Sequence, residues 1–118
     1  MEKKLYDSEL KVMEILWRQG EVKAKNIADI LNQQIGWSKT TTYTVIKKCI
    51  DKGAIERREP DFMCHALISK EEAQKYETDE LIEKMYDGHP DRLVAALIGD
   101  KRLDKAGIQR LKELIENS

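Results

Sequence analysis

The sequence predicts a mainly α-helical fold with one small β-hairpin set among the helices, on three observations. Apolar residues recur at helical spacing over residues 7–19, 23–32 and 38–51. Between residues 54 and 67 that period gives way to two extended runs around Pro60-Asp61. From Ser69 onward helical patterning returns and includes an almost wholly apolar stretch, Leu93-Val94-Ala95-Ala96-Leu97-Ile98. Helix, turn, helix, then hairpin is the order of a winged helix-turn-helix unit. The pattern divides the chain into a winged-helix domain, 1–68, and a three-helix domain, 69–118.

In the first helix Asp7 or Ser8 is the expected N-cap, Leu10, Met13, Leu16 and Trp17 form the inward stripe, and Gly20 closes it. The second helix, near Lys23 to Asn32, puts Ala24, Ile27, Ala28 and Leu31 on one stripe whose small residues allow a close neighbour. Residues 33–37 are expected to form the turn. The third helix is marked at both ends, by Ser38 as N-cap and by Gly53, which can take the left-handed conformation that ends a helix.

That third helix has two unlike faces. At about 100° per residue, Thr42, Ile46, Cys49 and Ile50 fall on one side, with Thr40, Thr41, Thr44, Lys47 and Lys48 opposite. The outer face carries hydroxyls and ammonium groups and no carboxylate before Asp51. Threonines lower helix propensity and gain nothing from water alone, so a binding partner is expected to use them. Short polar side chains with Lys near a helix N-terminus suit base edges and phosphates in a DNA major groove. Tyr43 lies between the faces, either packed or presenting its hydroxyl to a phosphate. Lys39 and Thr42 are not expected to read bases, and Trp17 and Trp37 adjoin apolar stripes and are expected in the core rather than stacked on bases.

In the hairpin, Arg57 and Arg58 occupy neighbouring strand positions with opposite facing, so at least one meets solvent, where a phosphate can be bound. A solvated charged hairpin is the alternative. Cys64 and His65 also alternate and cannot converge on one ion, so no metal is expected. The chain offers no nucleophile beside a base and no rigidly paired carboxylates, which argues against an enzyme, and no cofactor is expected.

After the hairpin, Ser69 caps a long helix reaching about Asp87, with Ala73, Tyr76, Leu81, Ile82, Met85 and Tyr86 as its sparse apolar positions. Gly88-His89-Pro90 breaks it, with His89 expected to be exposed and Pro90 in the first turn of the next helix. Leu103, Ile108, Leu111, Leu114 and Ile115 mark the last helix. Three short helices do not readily close a core alone, and residues 93–98 lack a polar face, so burial against a second copy is expected. The expected dimer surface comprises Tyr76, Leu81, Ile82, Met85, Leu93, Val94, Leu97, Ile98, Leu111, Leu114 and Ile115. Folding back on the first domain in a monomer is the alternative.

Composition fits a cytoplasmic chain. Of 118 residues 36% are charged, no apolar run nears 18 residues, and the charged start Met1 to Leu5 lacks signal-peptide character. Direct membrane binding is not expected. Two cysteines make neither a disulfide framework nor a zinc spacing, and suit a reducing compartment. The net charge of −1 opposes nucleic-acid binding only in sum. Residues 1–68 hold 12 Lys and Arg against 10 Asp and Glu, a balance of +2, whereas residues 69–118 hold 9 against 12, a balance of −3. A winged-helix module that binds protein through the hydroxyl-rich face is the reading from another class.

The segments L-Y-D-S-E-L-K-V-M-E-I-L-W and W-S-K-T-T-T-Y-T-V-I-K-K-C-I-D-K-G-A-I, the hairpin, and G-H-P-D-R-L-V-A-A-L together resemble the penicillinase-repressor family of bacteria, the BlaI and MecI type related to the copper-responsive CopY regulators. The resemblance covers nearly the entire chain. It implies a homodimeric winged-helix repressor on a palindromic double-stranded DNA operator, controlling β-lactamase or penicillin-binding-protein genes. It places Ser38 to Lys48 in the major groove, Arg57 and Arg58 near the DNA backbone, and residues 69–118 in the dimer. It also implies a membrane-bound β-lactam sensor protease as a partner. The family's Asn-Phe cleavage bond falls on Ala96-Leu97 here, a departure that bears on proteolytic release. The C-x-C cysteine pairs of the copper-responsive relatives are missing after Cys64.

Overall fold

A computed structural model of the chain describes residues 4–118. Met1 to Lys3, part of the charged start on which the signal-peptide reading rests, lie outside the described residues. Among the described residues the order is α1 (Asp7–Gln19), β1 (Val22–Lys23), α2 (Ala24–Ile35), α3 (Lys39–Asp51), β2 (Ile55–Arg58), β3 (Met63–Ala66), α4 (Lys70–Met85), α5 (Pro90–Gly99) and α6 (Lys105–Glu116). The strands form one antiparallel sheet in the order β1-β3-β2. Ile55 pairs with Ala66 and Arg58 with Met63 in the hairpin, while Val22 pairs with Cys64 along the other edge of β3. No helix among the described residues is long and apolar enough to cross a membrane.

Two local expectations are corrected, and one strand is added to them. Tyr6, rather than Asp7 or Ser8, stands at the N-cap of α1, because the Glu9 carboxylate reaches back to accept the Tyr6 backbone N–H at 2.8 Å. Helix α2 runs through Gln33 and Gln34 to Ile35, since nothing stops it before Gly36, which takes the left-handed conformation at φ 74° and ψ 17°. Strand β1 was unexpected, being too short for any periodicity to register. The hydrogen bonds Ala54 N–H to Cys49 and Gly53 N–H to Ile50, with Gly53 at φ 80°, close α3 as a Schellman turn.

The chain divides into two compact units between Glu77 and Thr78. The first extends past the 68/69 change of pattern, because Ala73 packs on its core and Lys70 pairs with Glu14 at 3.3 Å. Its core joins Val12, Met13 and Leu16 of α1, Ile27 and Leu31 of α2, and Val45, Ile46 and Cys49 of α3, with Ile55 and Cys64 from the sheet. Trp17 is half-buried and donates its indole N–H to the Ile68 carbonyl at 2.9 Å; Trp37 is half-buried against the same core.

One buried ion pair ties the first helix to the third. Lys52 Nζ lies 2.6 Å from Glu9 Oε1, donates to the Lys4 carbonyl at 2.7 Å and sits 4.3 Å from the Tyr6 ring centroid. The Glu9 side chain is only 3% exposed. A second buried polar group, the Thr42 hydroxyl on the inward face of α3, has no partner among the described residues. Thr42→Val retains the shape and removes the orphan, so the urea midpoint is expected to rise by the equivalent of about 1 kcal/mol.

Both cysteines are free and buried. Burial, with a smaller push from Glu9, raises the Cys49 thiol from 9.0 to about 12, and burial raises Cys64 to about 11. Above pH 9 these thiols ionise in the unfolded chain while the folded chain still holds their protons, so their contribution to stability is complete below pH 9 and is lost between 9 and 12. Urea midpoints at pH 7.5 and 10.5 are expected to show this loss, and Cys49→Ala to reduce it.

The second unit contains the end of α4, then α5 and α6. Ser69 and Glu72 cap α4 reciprocally, each backbone N–H meeting the other's side chain at 3.0 Å. Asp104 caps α6 through Gly107 N–H at 2.7 Å, and Pro90 opens α5 behind the exposed His89. The expected burial of residues 93–98 is not met within the single chain: Val94 is 44% and Ile98 49% exposed, and Leu93, Ala96 and Leu97 are half-buried. Helices of ten and twelve residues cannot enclose one another's apolar faces. Leu81, Met85, Leu114 and Ile115 are exposed as well, while Ile82, Leu111 and, on the first-unit side of α4, Tyr76 are half-buried.

Candidate nucleic-acid interface

The inward residues of α3 fix what its other side presents. With Thr42, Val45, Ile46 and Cys49 buried, Thr40, Thr41, Thr44, Lys47 and Lys48 stand in solvent. Ser38 begins the helix: its hydroxyl accepts the Thr41 N–H at 3.1 Å and donates to the Thr41 hydroxyl at 3.0 Å. The first turn is thus ordered before any ligand arrives, with Ser38 and Thr41 already engaged with each other. Lys39, Thr40, Tyr43, Thr44 and Lys47 line one shallow, open depression. Lys47 also lies 3.6 Å from Asp51, an exposed pair of small energetic weight that a phosphate can displace.

Tyr43 is half-buried and belongs to both environments. Its ring meets the Phe62 ring edge-on, with centroids 5.8 Å apart at 71°, and Lys39 Nζ lies 5.7 Å from its own centroid. In the hairpin both arginines are exposed, since β2 is an edge strand whose outer residues pass beyond the core. Neither is a free cation. Arg57 pairs with Glu59 at 3.2 Å, and Arg58 with Glu56 at 2.7 Å and with Glu21 at 3.3 Å. These hydrogen bonds hold the Glu56 and Glu59 carboxyls below the usual range and the Arg58 guanidinium above its own. The structure therefore sets Arg57 beside α3 through Phe62, while Arg58 is tied toward the turn after α1.

Sequence reasoning missed Phe62, Glu9 and Lys52. The one phenylalanine of the chain, placed at a hairpin tip, was the available signal for the first. The other two are 43 residues apart and carry no local signature. Cys64 is buried and His65 half-buried on the opposite side of β3, and among the described residues no three His, Cys, Asp or Glu side chains group around a possible metal position.

The chain is similar in sequence to known proteins over nearly its whole length. The chain is 27% identical to the methicillin resistance regulatory protein MecI of Staphylococcus aureus strain N315 over 98% of both chains. It is 21% identical to the penicillinase repressor of Bacillus licheniformis over 93% of this chain and 88% of that one. An uncharacterised 16.5 kDa protein of Latilactobacillus sakei is 29% identical over 92% of this chain and 75% of its own. Among solved structures, the DNA-binding domain of the repressor BlaI superposes with a TM-score of 0.55 at 24% identity, covering 59% of this chain and 88% of that one, and shares its winged-helix fold. The penicillinase repressor family model matches residues 5–117, and the chain accordingly belongs to that family of DNA-binding transcriptional repressors, which are not enzymes.

Proposed function

We propose that the protein is a cytoplasmic repressor that binds a palindromic double-stranded operator as a homodimer and controls β-lactamase or other β-lactam-resistance genes. The observation that carries this reading is the outward face of α3, an ordered first turn of hydroxyls followed by lysines on a winged-helix scaffold. In this reading Ser38, Thr40, Thr41, Tyr43, Thr44, Lys47 and Lys48 enter the major groove, and Arg57 and Arg58 lie along the backbone. The exposed apolar faces of α5 and α6 support pairing of two copies through residues 69–118, with two α3 helices about 34 Å or a multiple of it apart. A membrane-bound β-lactam sensor protease is the proposed source of release. Ala96 and Leu97 lie inside α5, so cleavage there requires that helix to open first.

The roles separate experimentally. Thr44→Ala is expected to relax base preference at one operator position, whereas Lys48→Ala should weaken all duplexes about equally and lower the salt slope by about 0.9 for each phosphate no longer neutralised. Anisotropy titrations with matched and singly altered duplexes check both, and the opposite pattern would refute the assignment. The ion-paired wing favours a second reading, a module that binds protein through the same face; a promoter fragment from the gene's own neighbourhood that fails to shift would decide for it.

A further inference from the structure

Phe62 stands where a tight hairpin tip ordinarily carries glycine or a small polar residue. Its φ is 51° and that of Asp61 is 70°, both in the left-handed region that a bulky side chain enters only at a cost. Two interactions hold the tip there: the Phe62 carbonyl accepts the Ala24 N–H at 3.0 Å, and Asp61 pairs with Lys23 at 3.7 Å. The strained backbone brings the ring against α3. Tyr43 meets it edge-on, and the Arg57 guanidinium carbon lies 3.8 Å from its centroid. Lys39, Tyr43, Phe62 and Arg57 therefore run as cation, ring, ring, cation from the helix to the wing.

A guanidinium laid on a ring face keeps its edge N–H donors available for a planar or tetrahedral oxyanion. Here that edge is occupied by Glu59, whose two oxygens lie 3.2 Å from Nη2 and 3.5 Å from Nε. A carboxylate in this fork is the geometric stand-in for a phosphate.

We infer that Phe62 is a positioning residue for DNA binding: it joins the wing to α3 and holds the Arg57 guanidinium where it exchanges Glu59 for a phosphate beside the groove that α3 enters. The inference rests on the DNA-binding reading above. Arg58, paired on two sides and turned toward Glu21, has no such support.

The test uses the full chain and a duplex recovered from a random pool by selection with the unaltered protein. Phe62→Asn suits the left-handed backbone but lacks the ring, Phe62→Tyr retains the ring, and Arg57→Gln removes the charge. Phe62→Asn and Arg57→Gln are each expected to weaken binding about tenfold and to lower the salt slope equally, by about 0.9 for each phosphate no longer neutralised. The double variant should be no weaker than either single one, and Phe62→Tyr should keep both affinity and slope. Should Phe62→Asn melt early, Phe62→Leu replaces it under the same criteria. A folded ring-less variant with an undiminished slope, or additive losses in the double variant, overturns the inference alone. An unaltered protein that selects no duplex overturns the DNA-binding reading and this inference with it.

Discussion

Lys52→Met is expected to lower the unfolding free energy by about 3 kcal/mol, because it removes one partner of a buried ion pair. The variant leaves the Glu9 carboxylate, 3% exposed, without its cation in a place where water cannot take over. Removing one partner of a buried pair exposes the full desolvation cost of the other, whereas removing both charges avoids it. Glu9→Gln/Lys52→Met should therefore recover most of the loss, with the amide oxygen still accepting the Tyr6 N–H. Urea unfolding of the single and double variants checks this. A Lys52→Met protein as stable as the unaltered one would show the pair to be energetically idle. The same loss should persist in 1 M salt, because screening acts weakly on a buried pair.

Ile98→Glu is expected to reduce operator affinity by about 10² to 10⁴-fold without touching the DNA-facing helix. The site lies on α5, where Ile98 and Val94 are about half exposed in the single chain. In the proposed dimer two such faces meet, and the substitution would bury a pair of like charges across the two-fold axis. Each separated copy retains one reading helix, and the gain from binding both half-sites at once is lost. Sedimentation should report a monomer, while the fluorescence of Trp17 and Trp37, both in the first unit, should stay that of the folded protein. A monomeric variant that binds DNA as tightly as the unaltered chain would sever dimerisation from affinity.

Local chemistry was legible in the sequence wherever a residue acts on its near neighbours. Ser38 and Gly53 bound α3 from within a few positions, and the inward side of the helix follows from spacing, including the burial of Thr42 and Cys49. The hairpin follows from Pro60-Asp61 between two extended runs, and the family follows from motifs spread along the chain. What was not legible depends on pairings across the fold. Strand β1 exists because β3 offers it an edge, and two residues have no period of their own. The E-L-K-V-M-E-I-L-W and D-K-G segments were visible as separate motifs, yet only the fold makes Glu9 of one the counter-ion of Lys52 in the other. Likewise, Arg57 and Arg58 read as available cations until their partners at 21, 56 and 59 are seen. Residues 93–98 show a different limit: their apolar pattern demands burial, but one chain does not provide it.

The paired wing has a consequence for how such a molecule would be distributed over a chromosome. Glu56, Arg57, Arg58 and Glu59 sum to zero charge, so the wing brings little indiscriminate attraction to a duplex met at random. A genome presents about 10⁶–10⁹ competing sites, and every copy resting on one of them is absent from its promoter. A wing whose arginine is released from Glu59 only once α3 is seated would keep that standing loss small. Fewer molecules would then suffice to hold a gene silent, and a modest fall in their number would be enough to open it.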